Sequence, residues 1–136
     1  MRKLFLILIL FCCLVDFINA QTPVIDSLRK ELVISKNDSI KVHDRIRISW
    51  YLIQIPDSSS AWKYINEADS IADKTGNPVL KGIVYEHLGF LHNRLFSKKA
   101  VTYYLQAENI LKNYPNSLAA KKRLAPLGLN IGIEHR

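Results

Sequence analysis

Apolar residues recur along this chain at helical spacing, and no stretch alternates as a half-buried strand would. Ala100, Tyr104, Ala107 and Leu111 step by four, three and four, which gathers them on one helical face. The alanines let a partner helix come close, and the tyrosine fills the space beside them. Tyr85, Leu88, Gly89 and His92, stepping by three, one and three, supply the complementary face on the preceding helix. Glycine inside a helix costs about 1 kcal/mol relative to alanine, so Gly89 predicts a close backbone contact at a helix crossing.

The pattern also repeats. Ala61, Tyr64, Ala68 and Ile71 return 39 residues later as Ala100, Tyr103, Ala107 and Ile110. A period of this size marks stacked supersecondary units, each burying its apolar face only against its neighbours. Candidate N-caps follow the same spacing: Asp38, Asn77 and Asn116, then Ser58 and Ser97. Pro78 stands in a first helical turn, where proline is tolerated. Together these signals predict six helices. The first runs from Thr22-Pro23 to Ser35 with Ile25, Leu28 and Leu32 on one face; the others span 39–55, 58–74, 78–94 and 97–113, with a last from Ser117.

The motif Tyr85-x2-Leu88-Gly89-x2-His92, followed by Ala100-x3-Tyr104-x2-Ala107 and Pro115, resembles the tetratricopeptide repeat pattern. The first unit follows it more weakly, through Ile46, Ser49, Trp50, Ile53, Ala61, Ile65 and Ala68, and Gly89 to Ala100 is one residue shorter than usual. The resemblance implies an all-α solenoid of two and a half repeats: units 38–76 and 77–115 and an incomplete unit 116–136, after an N-terminal helical segment 21–37. Ile25-Asp26-Ser27-Leu28, Lys36-Asn37-Asp38-Ser39, Pro56-Asp57-Ser58 and Lys81-Gly82-Ile83 are further similar to the start of exported sensor modules of bacterial histidine kinases. That likeness implies a sensing or docking part of a larger signalling protein, of which this chain would be a truncated form. The third unit has two registers, Leu127-Gly128 at a spacing of 39 or Ile131-Gly132 at 43; the first puts Pro126 inside a helix. In either register the unit lacks its second helix, leaving Leu124, Leu127, Ile131 and Ile133 without a partner in sequence.

The N-terminus changes the picture of where the chain works. Arg2 and Lys3, the apolar run Leu4 to Val15, and Ile18-Asn19-Ala20 before Gln21 have the layout of a secretory signal peptide. Export to the periplasm is the expectation, with membrane anchoring the alternative if the segment is not cleaved. Cys12 and Cys13 both fall inside it, so a mature chain would hold no cysteine and would depend on packing alone. The 136 residues carry 19 basic and 12 acidic side chains, a formal net charge of +7. Lys98-Lys99 and Lys121-Lys122-Arg123 are clustered, but no base-reading motif accompanies them, so they read as solvated helix faces and not as a nucleic-acid surface.

Catalytic chemistry has no sequence signal. His43, His87, His92 and His135 form no metal-ligand pair, and no phosphate loop, nucleophile elbow or cofactor fingerprint occurs. The expectation is a non-enzymatic module without cofactor or metal that binds a protein or peptide, with a self-associating scaffold as the alternative. The resemblance places the binding groove on the first helix of each pair. Carried onto this sequence, its peptide-facing positions are Arg47, Tyr51 and Gln54 in unit one and Glu86, Phe90, Asn93 and Arg94 in unit two. A second copy would meet the chain through the C-terminal helix, in a mature protein that does not span the membrane.

Overall fold

A computed structural model describes residues 21–55 and 57–134. The expected signal segment 1–20, Pro56 and His135 lie outside the described residues. The described chain is all-α and repeat-like, with helices α1 (21–34), α2 (Asp38–Gln54), α3 (Ser58–Thr75), α4 (Pro78–Arg94), α5 (Lys99–Lys112) and α6 (Leu118–Glu134). Contacts follow chain order: α2 pairs with α3 and α4 with α5, α3 leans on α4 and α5 on α6, and α2, α4 and α6 touch in succession.

The caps sit at a different period from the one expected. Asn37, not Asp38, starts α2, its side-chain oxygen accepting from the Ile40 amide at 3.2 Å. Asn77 starts α4, accepting from the amides of Val79 and Leu80. Ser117, not Asn116, caps α6 through the Ala120 amide. An N-cap side chain must reach the free amides two or three residues on, and the helix starts fix which residue can do so. Positions 37, 77 and 117 are forty apart. Asp57 caps α3 through the Ser60 amide, and forty residues on, Ser97 Oγ accepts from the Lys99 amide at 3.4 Å. The buried faces of the second helices nonetheless keep the spacing of 39: Ala61, Ile65, Ala68 and Ala72 in α3, then Ala100, Tyr104, Ala107 and Leu111 in α5.

The two periods meet where α5 begins: Ser97 and Ala100 are one residue closer in sequence than Asp57 and Ala61, just past the α4–α5 turn. Phe96 takes a left-handed backbone in that turn, with φ of 54°, and its side chain is 97% exposed. Non-glycine residues seldom occupy this region. In the α3–α4 turn the same conformation falls to Gly76, with φ of 61°, which adopts it freely.

Within the second pair the helices come close at two points. A Cβ on Gly89 would lie 2.5 Å from the ring of Tyr104, and one on Gly82 would lie 2.8 Å from Leu111. Both partners are fully buried on α5. In the first pair the corresponding positions are Ser49 with Ile65 and Val42 with Ala72, all buried, with bulk and smallness exchanged at the second position. Ser49, not Trp50, therefore matches Gly89: Ser49 is fully buried while Trp50 is 42% exposed.

A polar and aromatic seam ties the pairs together. Trp62 of α3 meets His92 of α4 edge-on at 4.9 Å, His92 stacks on Tyr103 of α5 at 5.1 Å, and Tyr103 lies 6.0 Å from Tyr85. Lys81 of α4 sits over the Tyr85 ring and bridges Asp69 and Asp73 of α3, each at 2.7 Å. At the other end, α1 buries Ile25 and Leu28, and Arg29 donates to the Tyr64 hydroxyl of α3 at 3.1 Å. Helix α6 continues through Pro126, with Ala120 and Leu127 fully buried and Ile131 half-buried. Neither Gly128 nor Gly132 has a neighbour within 4 Å of its would-be Cβ, so among the described residues nothing approaches α6 at these glycines as α5 approaches α4 at Gly82 and Gly89.

Three substitutions separate these effects. Gly89→Ala is expected to destabilise the fold by about 1–3 kcal/mol, because overpacking against Tyr104 outweighs the gain in helix propensity. Gly128→Ala, in open space, is expected to stabilise by about 0.5–1 kcal/mol. Phe96→Gly is expected to stabilise by about 1 kcal/mol by relieving the left-handed backbone. Urea unfolding followed by circular dichroism measures all three, and equal responses at positions 89 and 128 would contradict the close approach.

Candidate functional site: a cleft across α2, α4 and α6

The successive contacts of α2, α4 and α6 leave a cleft of about 170 Å³ lined by Ile46 and Trp50 of α2, Ile83, Glu86, His87 and Phe90 of α4, and Arg123 and Asn130 of α6. A second hollow of about 220 Å³ continues it along α2, adding Arg47 and Tyr51. The lining follows the period of forty. Trp50, Phe90 and Asn130 form one row across the three helices, and Ile83 and Arg123 belong to another.

Aromatic surface and charge share the cleft. Trp50 meets Tyr51 edge-on at 5.0 Å, and His87 stacks against Phe90 at 5.5 Å. Arg123 Nη1 lies 3.3 Å from Glu86 Oε2, an ion pair without an aligned hydrogen bond. The Glu86 side chain is largely buried and Arg123 is the more open partner, so the guanidinium bridges the cleft wall and solvent. Burial raises the Glu86 pKa above the ordinary carboxylate value, and Arg123 only partly offsets this. Arg47 Nη1 lies 3.5 Å from Asp44 Oδ1, whose other oxygen is buried without a hydrogen-bond partner.

His87 in the cleft, and His43 on α2 outside its lining, are held neutral. Burial, and then the Arg123 charge, lower the His87 pKa from 6.5 to about 4, and its Nε2 is buried with no hydrogen-bond partner. Burial and Arg123 lower His43 too, against a smaller opposing pull from Asp44. Among the described residues no group of three His, Cys, Asp or Glu side chains could hold a metal ion. The fixed cations facing the cleft at neutral pH are thus Arg47 and Arg123, and Glu86 is the carboxylate beside Arg123.

Of the positions expected to face a peptide, Arg47, Tyr51, Glu86 and Phe90 line this cleft. Gln54 and Arg94 line neither hollow, and Asn93 borders a separate depression with Phe96, Ser97 and Lys98. Trp50, His87, Arg123 and Asn130 were not singled out from the sequence as facing a ligand. A forty-residue offset between first helices makes Trp50 the counterpart of Phe90, whereas an offset of 39 selects its neighbour Tyr51. Compared with family models, curated proteins and solved structures, the chain finds no match in any of the three.

His87 makes the cleft sensitive to acid. Its pKa is depressed in the folded chain, so the unfolded chain binds the proton more readily. Burial of the neutral ring contributes fully above pH 6.5, and that contribution is lost as pH falls through about 4. Over this window the chain is expected to lose up to roughly 3 kcal/mol through His87. Urea midpoints across the window measure it; His87→Leu should flatten the decline, and an unchanged slope would count against neutral burial of this ring.

Proposed function

We propose that this chain is a tetratricopeptide-type helical repeat that binds an extended peptide or protein segment in the α2–α4–α6 cleft. The observation that carries the reading is the row Trp50, Phe90 and Asn130, equivalent positions on successive first helices that line one cleft. A row of equivalent positions suits a ligand that is itself extended, with aromatic faces taking apolar side chains and Arg47 or Arg123 taking carbonyl or carboxylate oxygens. A neutral His87 suits binding and supplies no cationic charge at neutral pH. The reading is non-catalytic, and the cleft needs no cofactor.

In this reading the module is exported by its N-terminal segment and works in the periplasm as the sensing or docking part of a signalling protein. Among the described residues no helix is long and apolar enough to cross a membrane. Self-association as a scaffold is a second reading, favoured by Leu118 and Leu129 of α6, which are 67% and 70% exposed. Sedimentation over a range of concentrations tests it, and a monomer throughout would remove it.

Random-peptide phage display on the immobilised full chain tests the groove. Peptides enriched on the wild type should bind at least about tenfold more weakly after Trp50→Ala with Phe90→Ala, hot-spot aromatics of this kind being worth 2 kcal/mol or more. The variant should keep its circular dichroism spectrum. Enriched peptides that bind the variant equally well would remove the groove assignment.

A further inference from the structure

The α4–α5 turn carries a second surface, separate from the cleft. Its tip presents Leu95 and Phe96, both exposed, and Phe96 is almost completely so. Arg94, Lys98 and Lys99 flank this apolar tip and are exposed as well. Among the described residues none of these three cations takes part in an ion pair. No aspartate or glutamate occurs from residue 87 to residue 107. The tip is an exposed aromatic and leucine flanked in sequence by three exposed cations that form no ion pair among the described residues.

The backbone holds Phe96 outward. Its φ of 54° is a conformation that glycine would adopt at lower cost, so water contact of the ring is maintained against both local strain and the hydrophobic effect. Strained positions of this kind point to an interaction at the site.

We propose that this turn docks the protein onto an anionic lipid bilayer, with Phe96 and Leu95 entering the headgroup–acyl boundary and Arg94, Lys98 and Lys99 engaging lipid phosphates. A bilayer fits better than a protein partner on geometric grounds. Two exposed side chains on a short turn bury far less than the roughly 1,000 Å² of a stable protein interface, whereas a lipid surface deforms around a small wedge. Charge complementarity selects anionic lipid: a basic residue near such a surface contributes about fivefold in affinity, and three of them act together here.

Co-sedimentation of the full chain with phosphatidylglycerol-containing and pure phosphatidylcholine vesicles tests this. Residues 1–20 are common to every variant, so differences between variants report on the turn. The wild type should favour the anionic vesicles, and Phe96→Gly should weaken that binding about tenfold. Lys98→Glu with Lys99→Glu should weaken it further and remove most of its salt dependence. Because Phe96→Gly is also expected to stabilise the fold, a loss of binding cannot be ascribed to unfolding. A direct readout comes from Phe96→Trp, whose added emission should shift to the blue on anionic vesicles and be quenched by brominated lipid. Unchanged binding by Phe96→Gly, or an added emission that stays solvent-exposed and unquenched, would overturn the proposal. So would a vesicle-free change of oligomeric state in Phe96→Gly, which would assign the tip to a second copy of the chain.

Discussion

Two close approaches, Gly89 against Tyr104 and Gly82 against Leu111, set how near α4 and α5 can lie, and the rest of the arrangement follows from that distance. A helix pair packed this tightly buries its small residues on the inside: Ala100 and Ala107 are fully buried on the same face of α5 as Tyr104 and Leu111. The first pair reaches the same end by a different distribution of volume. It sets serine opposite isoleucine and valine opposite alanine by register, where the second sets glycine opposite tyrosine and leucine. Interiors tolerate such exchanges when the summed volume is kept. With the pairs built, Trp62, His92 and Tyr103 fill the seam between them, and α2, α4 and α6 come into line along the face that holds the cleft.

Much of this was legible in the sequence because helical spacing and small-residue placement are local signals. The buried faces of α3 and α5 follow the alanine pattern, and Asn77 with Pro78 marks the start of α4. The period of the first helices was not legible, for a physical reason. Asp38 and Asn37 are both good capping residues, as are Asn116 and Ser117, and only the helix start decides which oxygen reaches a free amide. The strongest echo comes from the second helices, where the spacing is 39, so it carried the wrong offset into the first helices. That single residue moved the candidate groove position from Trp50 to Tyr51. Arg123 was hidden differently: it stands in a basic cluster that reads as a solvated face, and only folding brings it to Glu86.

The two exposed features of the molecule differ in chemistry. The cleft sets aromatic rings beside a guanidinium–carboxylate pair and one histidine, His87, kept neutral by burial, a mixed surface suited to a directional, hydrogen-bonding ligand. The α4–α5 turn has apolar side chains and unpaired cations, suited to a surface without fixed geometry. The first helices stay in step at forty and align the rows of the cleft, while Phe96 projects from the α4–α5 turn on a left-handed backbone.

The forty-residue register is the claim on which this account rests, and proton NMR of the folded chain tests it most directly. The account predicts nuclear Overhauser contacts from the Tyr104 ring to the Gly89 α-protons and from the Ser49 β-protons to the Ile65 methyls, with none from the Trp50 indole to Ile65. Contacts from Trp50 to Ile65, together with none between Gly89 and Tyr104, would contradict it.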